Sequence, residues 1–266
     1  MAGLRKMSEA ARGESPVEGG PGAASPVLVV ALDVPSADAA LTQAENLRGL
    51  PVWLKVGLEL FTAEGPELVR RLTNLDYSLF LDLKFYDIPN TVHGAMCSAT
   101  MLGAHMATLH ISGGEAMCRA AVAGRRRGLE ESRRKNLSSE PAPGKGPLLM
   151  GVTVLTSQGG REEDIRSTVV ERARLAREWG LDGVVCSGWE AAAVKSACGR
   201  DFFCLCPGIR FAGFAGGDDQ ARICTPGQAV AAGADFLVMG RPITGAKSPV
   251  EAARAALEQM GKASRT

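Results

Sequence analysis

Residues 78–91 read SLFLDLKFYDIPNT, and the two charges inside that apolar run decide how the chain is read. Leu79, Phe80, Leu81, Leu83 and Phe85 make the kind of run that becomes a buried parallel strand, yet Asp82 and Lys84 interrupt it. Successive side chains of a strand alternate faces, so Asp82 and Lys84, two apart, project the same way at the strand's carboxyl end. Asp87 follows three residues later, off the strand. An unpaired buried charge costs several kcal/mol, so these groups must neutralise one another or meet a charged ligand. Taken alone, an Asp-x-Lys pair is read equally well as a structural ion pair at a strand end.

The chain around this stretch has room for a large core. At 266 residues it suits one α/β barrel or a two-domain protein. With 45% hydrophobic residues and a net charge of +1, its totals carry no nucleic-acid footprint, which leaves small-molecule chemistry as the default. Seven cysteines without Cys-x-x-Cys spacing, and no signal peptide, point to reduced thiols and a cytoplasmic location. No run approaches the ~18 apolar residues of a membrane span. Residues 1–25 are rich in Gly, Ala, Pro, Ser and Glu without periodic pattern and read as a disordered extension.

From residue 26 onward, strand-like runs alternate with amphipathic helical patterns, the signature of βαβ units building a parallel sheet. Strands are expected over 27–33, 52–57, 79–85, 106–111, 148–155, 183–186, 202–206 and 236–239. Helices are expected over 36–48, 60–72, 89–102, from 114 onward, and over 167–179, 190–198, 226–232 and 250–260. Eight such units close a (β/α)8 barrel of the TIM type, a single α/β domain over residues 26–266. Residues 125–146, with Arg125-Arg126-Arg127 and Arg133-Arg134-Lys135, read as a basic, polar insertion. No aromatic residue interleaves those clusters and Glu130, Glu131 and Glu140 dilute them, so a solvated helix end followed by a mobile loop fits better than a polyanion site.

In such a barrel the active site forms at the carboxyl ends of the strands, where the polar outliers fall. Asp33 ends the first strand, Lys55 lies near the end of the second, Asp82 and Lys84 end the third, and Thr156 follows the fifth. Arg210 and Arg241 follow the seventh and eighth, where barrels often hold a phosphate. Each has a plain alternative: Lys55 snorkelling, Asp33 capping a helix, Arg241 in a surface ion pair. Their shared mouth is the informative fact. Gly208 and Gly240 let backbone N–H groups approach an anion, and Arg210 and Arg241 add forked hydrogen bonds, which implies a phosphorylated substrate. Gln220 either joins that phosphate site or is a surface residue. His93, His105 and His110 are scattered, and no metal-ligand spacing, dinucleotide fingerprint, nucleophile elbow or Walker loop is present. Acid–base and electrostatic chemistry by amines and carboxylates is what remains.

Residues 82–91, Asp-Leu-Lys-Phe-Tyr-Asp-Ile-Pro-Asn-Thr, match the Asp-x-Lys-x-x-Asp-Ile-Pro-x-Thr signature of the orotidine 5'-phosphate decarboxylases. Ala31-Leu32-Asp33, Leu54-Lys55-Val56-Gly57, Leu155-Thr156-Ser157, Pro207-Gly208-Ile209-Arg210 and Gly240-Arg241-Pro242-Ile243 occur in that family's order, so the resemblance covers residues 27–257 and is to the bacterial branch. Residues 1–25 and 125–146 have no counterpart in the compact family pattern. The resemblance implies decarboxylation of orotidine 5'-monophosphate to uridine 5'-monophosphate and carbon dioxide, the last step of de novo pyrimidine nucleotide synthesis, with no metal or organic cofactor. It implies a catalytic array of Lys55, Asp82, Lys84 and Asp87, with Lys84 protonating C6. It also implies a homodimer in which Asp87, Ile88 and Thr91 complete the neighbouring site. Substrate binding would fall to Asp33 and Lys55 at the ribose, Thr156 at the pyrimidine, and Arg210, Gln220, Gly240 and Arg241 at the phosphate.

Two other readings compete. A sister barrel acting on a sugar phosphate shares Asp-x-Lys-x-x-Asp but needs Mg²⁺ for an enediolate; Ile88-Pro89-Asn90-Thr91, Leu155-Thr156-Ser157 and the loop bearing Gln220 favour the nucleotide. A non-catalytic nucleotide-binding module would have no need of the charged tetrad.

Overall fold

The computed structural model describes residues 25–135, 146–155, 160–213 and 223–264. Its strands are short apolar runs: β1 Val27–Ala31, β2 Val52–Gly57, β3 Leu79–Phe85, β4 Met106–His110, β5 Leu148–Val152, β6 Gly183–Val185, β7 Phe203–Cys206 and β8 Phe236–Met239. All pair in parallel with their sequence neighbours, and β8 returns to β1 with Val27 opposite Phe236, so the sheet closes as the expected single (β/α)8 barrel. The helices are α1 Ala37–Asn46, α2 Leu58–Thr73, α3 Pro89–Met101, α4 Gly114–Arg134, α5 Glu162–Glu178, α6 Ala191–Cys198, α7 Pro226–Ala231, α8 Arg241–Thr244 and α9 Pro249–Ala263. No described helix is long and apolar enough to cross a membrane, and all seven cysteines are free thiols.

The period of two along each strand divides two apolar layers. Val29, Ala31, Phe80, Met106, Phe203 and Phe236 fill the barrel, with Trp53 against Phe236 at 5.3 Å and Phe203 against Phe236 at 5.8 Å between ring centres. Leu28, Val30, Leu54, Val56, Leu79 and Leu81 face outward into the helices. The barrel floor is therefore a plug of packed rings.

Local signals explain most element ends. Ser36 caps α1 by accepting from the Ala39 N–H at 3.3 Å. Pro89 occupies the first turn of α3, where a missing N–H costs nothing. The expected helix over 60–72 begins two residues earlier and is kinked, because Gly65 has φ of 66° and Pro66 cannot donate to the preceding turn. The exit from β8 is the single turn α8.

The basic segment divides. Its residues up to Arg134 continue α4 as regular helix, whereas 136–145 lie outside the described residues, as do 1–24 of the expected extension. Arg125 is not a solvated cation: it pairs with Asp182 and donates to the Pro147 carbonyl at 3.1 Å. Arg126, Arg127, Arg133 and Arg134 do face solvent. The opposite face of α4 lies so close to α3 that a Cβ at Gly124 would sit 2.2 Å from the His93 carbonyl oxygen, and one at Gly128 2.5 Å from Thr100 Cβ.

Gly124→Ala therefore sets a gain in helix propensity of about 1 kcal/mol against a clash with backbone that cannot rotate away. The clash is the larger effect: the variant is expected to lose about 1–3 kcal/mol in urea unfolding. A variant as stable as the parent or more stable would contradict the close α3–α4 crossing.

Candidate active site

One cavity of about 280 Å³ opens at the carboxyl ends of the strands, and its lining contains Asp33, Lys55, Asp82, Lys84, Arg210, Gly240 and Arg241. Side chains far apart in the sequence thus share one mouth, as their places at the strand ends lead one to expect. Lys55 comes from inside β2, opposite Ala31 of β1 and Phe80 of β3, and is buried. Its ammonium lies 3.0 Å from Asp33 Oδ1 and 3.6 Å from Asp82 Oδ2. Gly57 makes room for it, since a Cβ there would sit 3.0 Å from Lys55 Nζ. Gly240 fits against the other side of Asp33, where a Cβ would come within 3.3 Å of Oδ2.

The third strand is not regular where its charges lie. Leu81 pairs with Ala107 and Phe85 with Leu109, so Asp82, Leu83 and Lys84 stand opposite the single residue Thr108. Lys84 adopts φ of +49°, a left-handed conformation that costs a side-chain-bearing residue on the order of 1–3 kcal/mol. The bulge turns the Lys84 ammonium onto Asp82 Oδ1 at 2.9 Å. Thr108, fully buried, donates its hydroxyl to the same oxygen at 2.9 Å and accepts from the Lys84 N–H at 3.0 Å.

Asp82 therefore stands between two ammonium groups with its side chain 13% exposed. Burial alone would push its carboxyl up, but Lys55, Lys84 and the Thr108 hydroxyl outweigh it and hold the group below the usual 3.8. A carboxylate that stays charged while facing a cavity repels any anion brought against it and favours a cation there.

The far side of the mouth carries two arginines, Arg210 and Arg241. Gly208 has φ of +77°, which a glycine adopts at no steric cost. The turn it makes is tied at its base, with the Arg210 N–H donating to Cys224 O at 3.0 Å and Ile209 bridging to Cys224. Arg210 is buried, and that burial lowers its guanidinium's pKa; Arg241 begins α8 and is exposed. Between the two charged ends, Val152, Val154, Leu155, Val185, Leu205 and Val238 provide apolar walls.

Not every expected residue meets here. Asp87, Ile88 and Thr91 are exposed and outside the cavity's lining; Asp87 Oδ1 accepts from the Ile88 N–H at 2.6 Å, and Ile88 is 66% exposed. Thr156 and Gln220 lie outside the described residues. Thr108 went unread in the sequence, because a β-branched residue within Met-Ala-Thr-Leu-His is ordinary for a strand. Among the described residues no group of three or more His, Cys, Asp or Glu side chains is arranged to hold a metal ion.

Comparison with known proteins agrees with this geometry. Residues 26–256 match the model of the orotidine 5'-phosphate decarboxylase / HUMPS family. The chain is similar to the orotidine 5'-phosphate decarboxylase of Nitratidesulfovibrio vulgaris strain DP4, at 52% identity over 238 residues, covering 88% of this chain and 97% of the relative. It is 50% identical over 242 residues to the protein of that name from Maridesulfovibrio salexigens, covering 88% and 98%. The crystal structure of orotidine 5'-phosphate decarboxylase from Lactobacillus acidophilus superposes with a TM-score of 0.74 at 33% identity, covering 89% of this chain and 99% of that one.

The Asp82 environment has a consequence for stability. Its folded pKa is depressed, so below the ordinary carboxylate value the unfolded chain takes up a proton that the folded chain refuses. The stabilisation is whole above about pH 4 and is lost as the pH falls toward the folded value. In urea unfolding between about pH 5 and pH 3, the parent is expected to lose stability more steeply than Asp82→Asn; equal slopes would contradict the assignment.

Proposed function

The chain belongs to the orotidine 5'-phosphate decarboxylase / HUMPS family, and from that premise we propose that it converts orotidine 5'-monophosphate to uridine 5'-monophosphate and carbon dioxide. The observation that carries this reading is the 2.9 Å contact of Lys84 Nζ with Asp82 Oδ1, inside a cavity whose rim also holds Arg210 and Arg241. The phosphate engages Arg210, Gly240 and Arg241, with Gln220 as a further donor. Thr156 meets the pyrimidine between the apolar walls, and Asp33 with Lys55 takes the ribose hydroxyls. The C6 carboxylate is then directed at Asp82.

Like-charge repulsion disfavours that ground state and disappears as carbon dioxide leaves, so Asp82 lowers the barrier by differential binding. The C6–carboxylate bond breaks, its electron pair stays on C6, and the adjacent Lys84 ammonium stabilises that charge before giving its proton to C6. Water then reprotonates Lys84. Phosphate contacts remote from the breaking bond supply binding energy that holds the carboxylate against Asp82. No step draws on a metal or organic cofactor.

A second copy completes the site. Asp87, Ile88 and Thr91 are exposed just past the end of β3, as are Tyr86 at 63% and, at the start of α2, Leu58 at 56%. Exposed apolar side chains next to an exposed carboxylate in the chain suit an isologous dimer, in which Asp87 of each copy joins Lys84 of the other. This assembly is proposed to act in the cytoplasm, in the last step of pyrimidine nucleotide synthesis.

The test is loss of orotidylate absorbance with and without EDTA. Full activity in chelator is expected; dependence on added Mg²⁺ would favour the sister sugar-phosphate enzymes, and no turnover would leave a binding module. Lys84→Ala is expected to abolish turnover while still binding uridine 5'-monophosphate; an active variant would remove the assigned proton donor. Arg241→Ala is expected to lower kcat/KM by about 3–4 kcal/mol, since charged hydrogen bonds contribute about 1.5–3 kcal/mol each. An unchanged kcat/KM would detach Arg241 from the phosphate.

A further inference from the structure

We infer that Thr108 is a positioning residue for the proton donor: its one hydroxyl fixes the Asp82 carboxylate and the Lys84 main chain relative to each other. The inference rests on the decarboxylase reading, which gives the aim of Lys84 its importance. Its grounds are geometric.

Three residues of β3 stand opposite one residue of β4, so the parallel ladder is interrupted between Leu81 and Phe85. Within that interruption the Lys84 N–H meets the Thr108 hydroxyl oxygen at 3.0 Å instead of a strand carbonyl. The hydroxyl has a single proton, and with Oγ1 2.9 Å from Asp82 Oδ1 that proton belongs to the carboxylate. Donor and acceptor capacities are both used, in opposite directions, on two residues two apart in sequence. A side chain that only accepts, or only donates, cannot do both.

The consequence reaches the ammonium. Asp82 Oδ1 is shared by Thr108 Oγ1 and Lys84 Nζ, each at 2.9 Å, which leaves Oδ2 toward Lys55 at 3.6 Å. Rotation of the carboxylate would exchange those partners. The left-handed backbone at Lys84, with φ of +49°, is held by the same hydroxyl and would otherwise tend to relax toward regular strand. Without Thr108, both the carboxylate and the stem of Lys84 gain freedom at the point where C6 must be met. Thr108 is not itself a lining residue of the cavity and reaches it only through Asp82 and Lys84, so it acts through these two residues.

The discriminating pair is Thr108→Val, which keeps the shape and loses the hydroxyl, and Thr108→Ser, which keeps the hydroxyl and loses a methyl. Displacements of about 1 Å in a reacting group cost on the order of 10²-fold, so Thr108→Val is expected to lower kcat about 10- to 100-fold with KM within about threefold. Thr108→Ser is expected to recover kcat to within about threefold of the parent. If Thr108→Val turns over as fast as the parent, or if Thr108→Ser falls as far as Thr108→Val, the hydroxyl does not position the donor.

A measurement on the parent stands apart from activity and from the folding of either variant. Hydrogen exchange resolved at the Lys84 amide should show protection, and exchange at the rate of an unpaired amide would overturn the inference. If instead the parent fails to decarboxylate orotidine 5'-monophosphate while its Lys84 amide is protected, the proposed reaction fails and the hydroxyl bridge stands. The two failures are thereby separate.

Discussion

A carboxylate taken out of water needs cations around it, and at this mouth Asp82 has two, Lys84 at 2.9 Å and Lys55 at 3.6 Å. The arrangement accounts for the charges that interrupt an otherwise apolar strand. Each partner is itself held: Lys55 by Asp33 and by the space that Gly57 leaves, Lys84 by the bulge opposite Thr108. The charges are held by one another and by buried donors, so they do not have to reorganise when a substrate arrives. Preorganisation of that kind is what electrostatic catalysis requires.

The barrel around this network separates two tasks. Its floor, packed with Trp53, Phe203 and Phe236, excludes water and gives a rigid base. Its mouth carries the alternating charges of β1 to β3 on one side and the arginines that follow β7 and β8 on the other, with aliphatic walls between. In the proposed reaction the arginine side contributes binding and the charged strands contribute the barrier lowering, which is how remote binding energy becomes rate. The strand order of a closed parallel barrel brings the first three strands and the last two to one rim.

Much of this was legible in the chain itself. The bounds of β2 and β3 follow from apolar runs between turn signals, and Ser36 and Pro89 announce their helices by capping chemistry. The mouth was legible because charged residues at the ends of apolar strands have few places to go. The bulge was not, since nothing in Asp-Leu-Lys distinguishes a regular strand from one with a left-handed lysine, and the pairing partner decides. Thr108 was hidden by its own suitability for a strand, and the kink of α2 by the amphipathic pattern running through Gly65 and Pro66. The basic end of α4 was legible in part: Arg126, Arg127, Arg133 and Arg134 face solvent as a solvated helix end should, but Gly124 and Gly128 pack that helix against α3 and Asp182 takes Arg125. Asp87, Ile88 and Thr91 stay exposed and outside the cavity lining of their own chain.

The account stands on the charge state of Asp82, and that can be read directly. Carbon-13 NMR titration of aspartate carboxyls in the resting protein, with the Asp82 signal assigned by its disappearance in Asp82→Asn, gives the midpoint without reference to activity or stability. The account predicts a midpoint below the ordinary value of 3.8. A midpoint at or above it would mean that burial prevails over Lys55 and Lys84, and that the carboxylate proposed to drive out carbon dioxide is not held in its charged form.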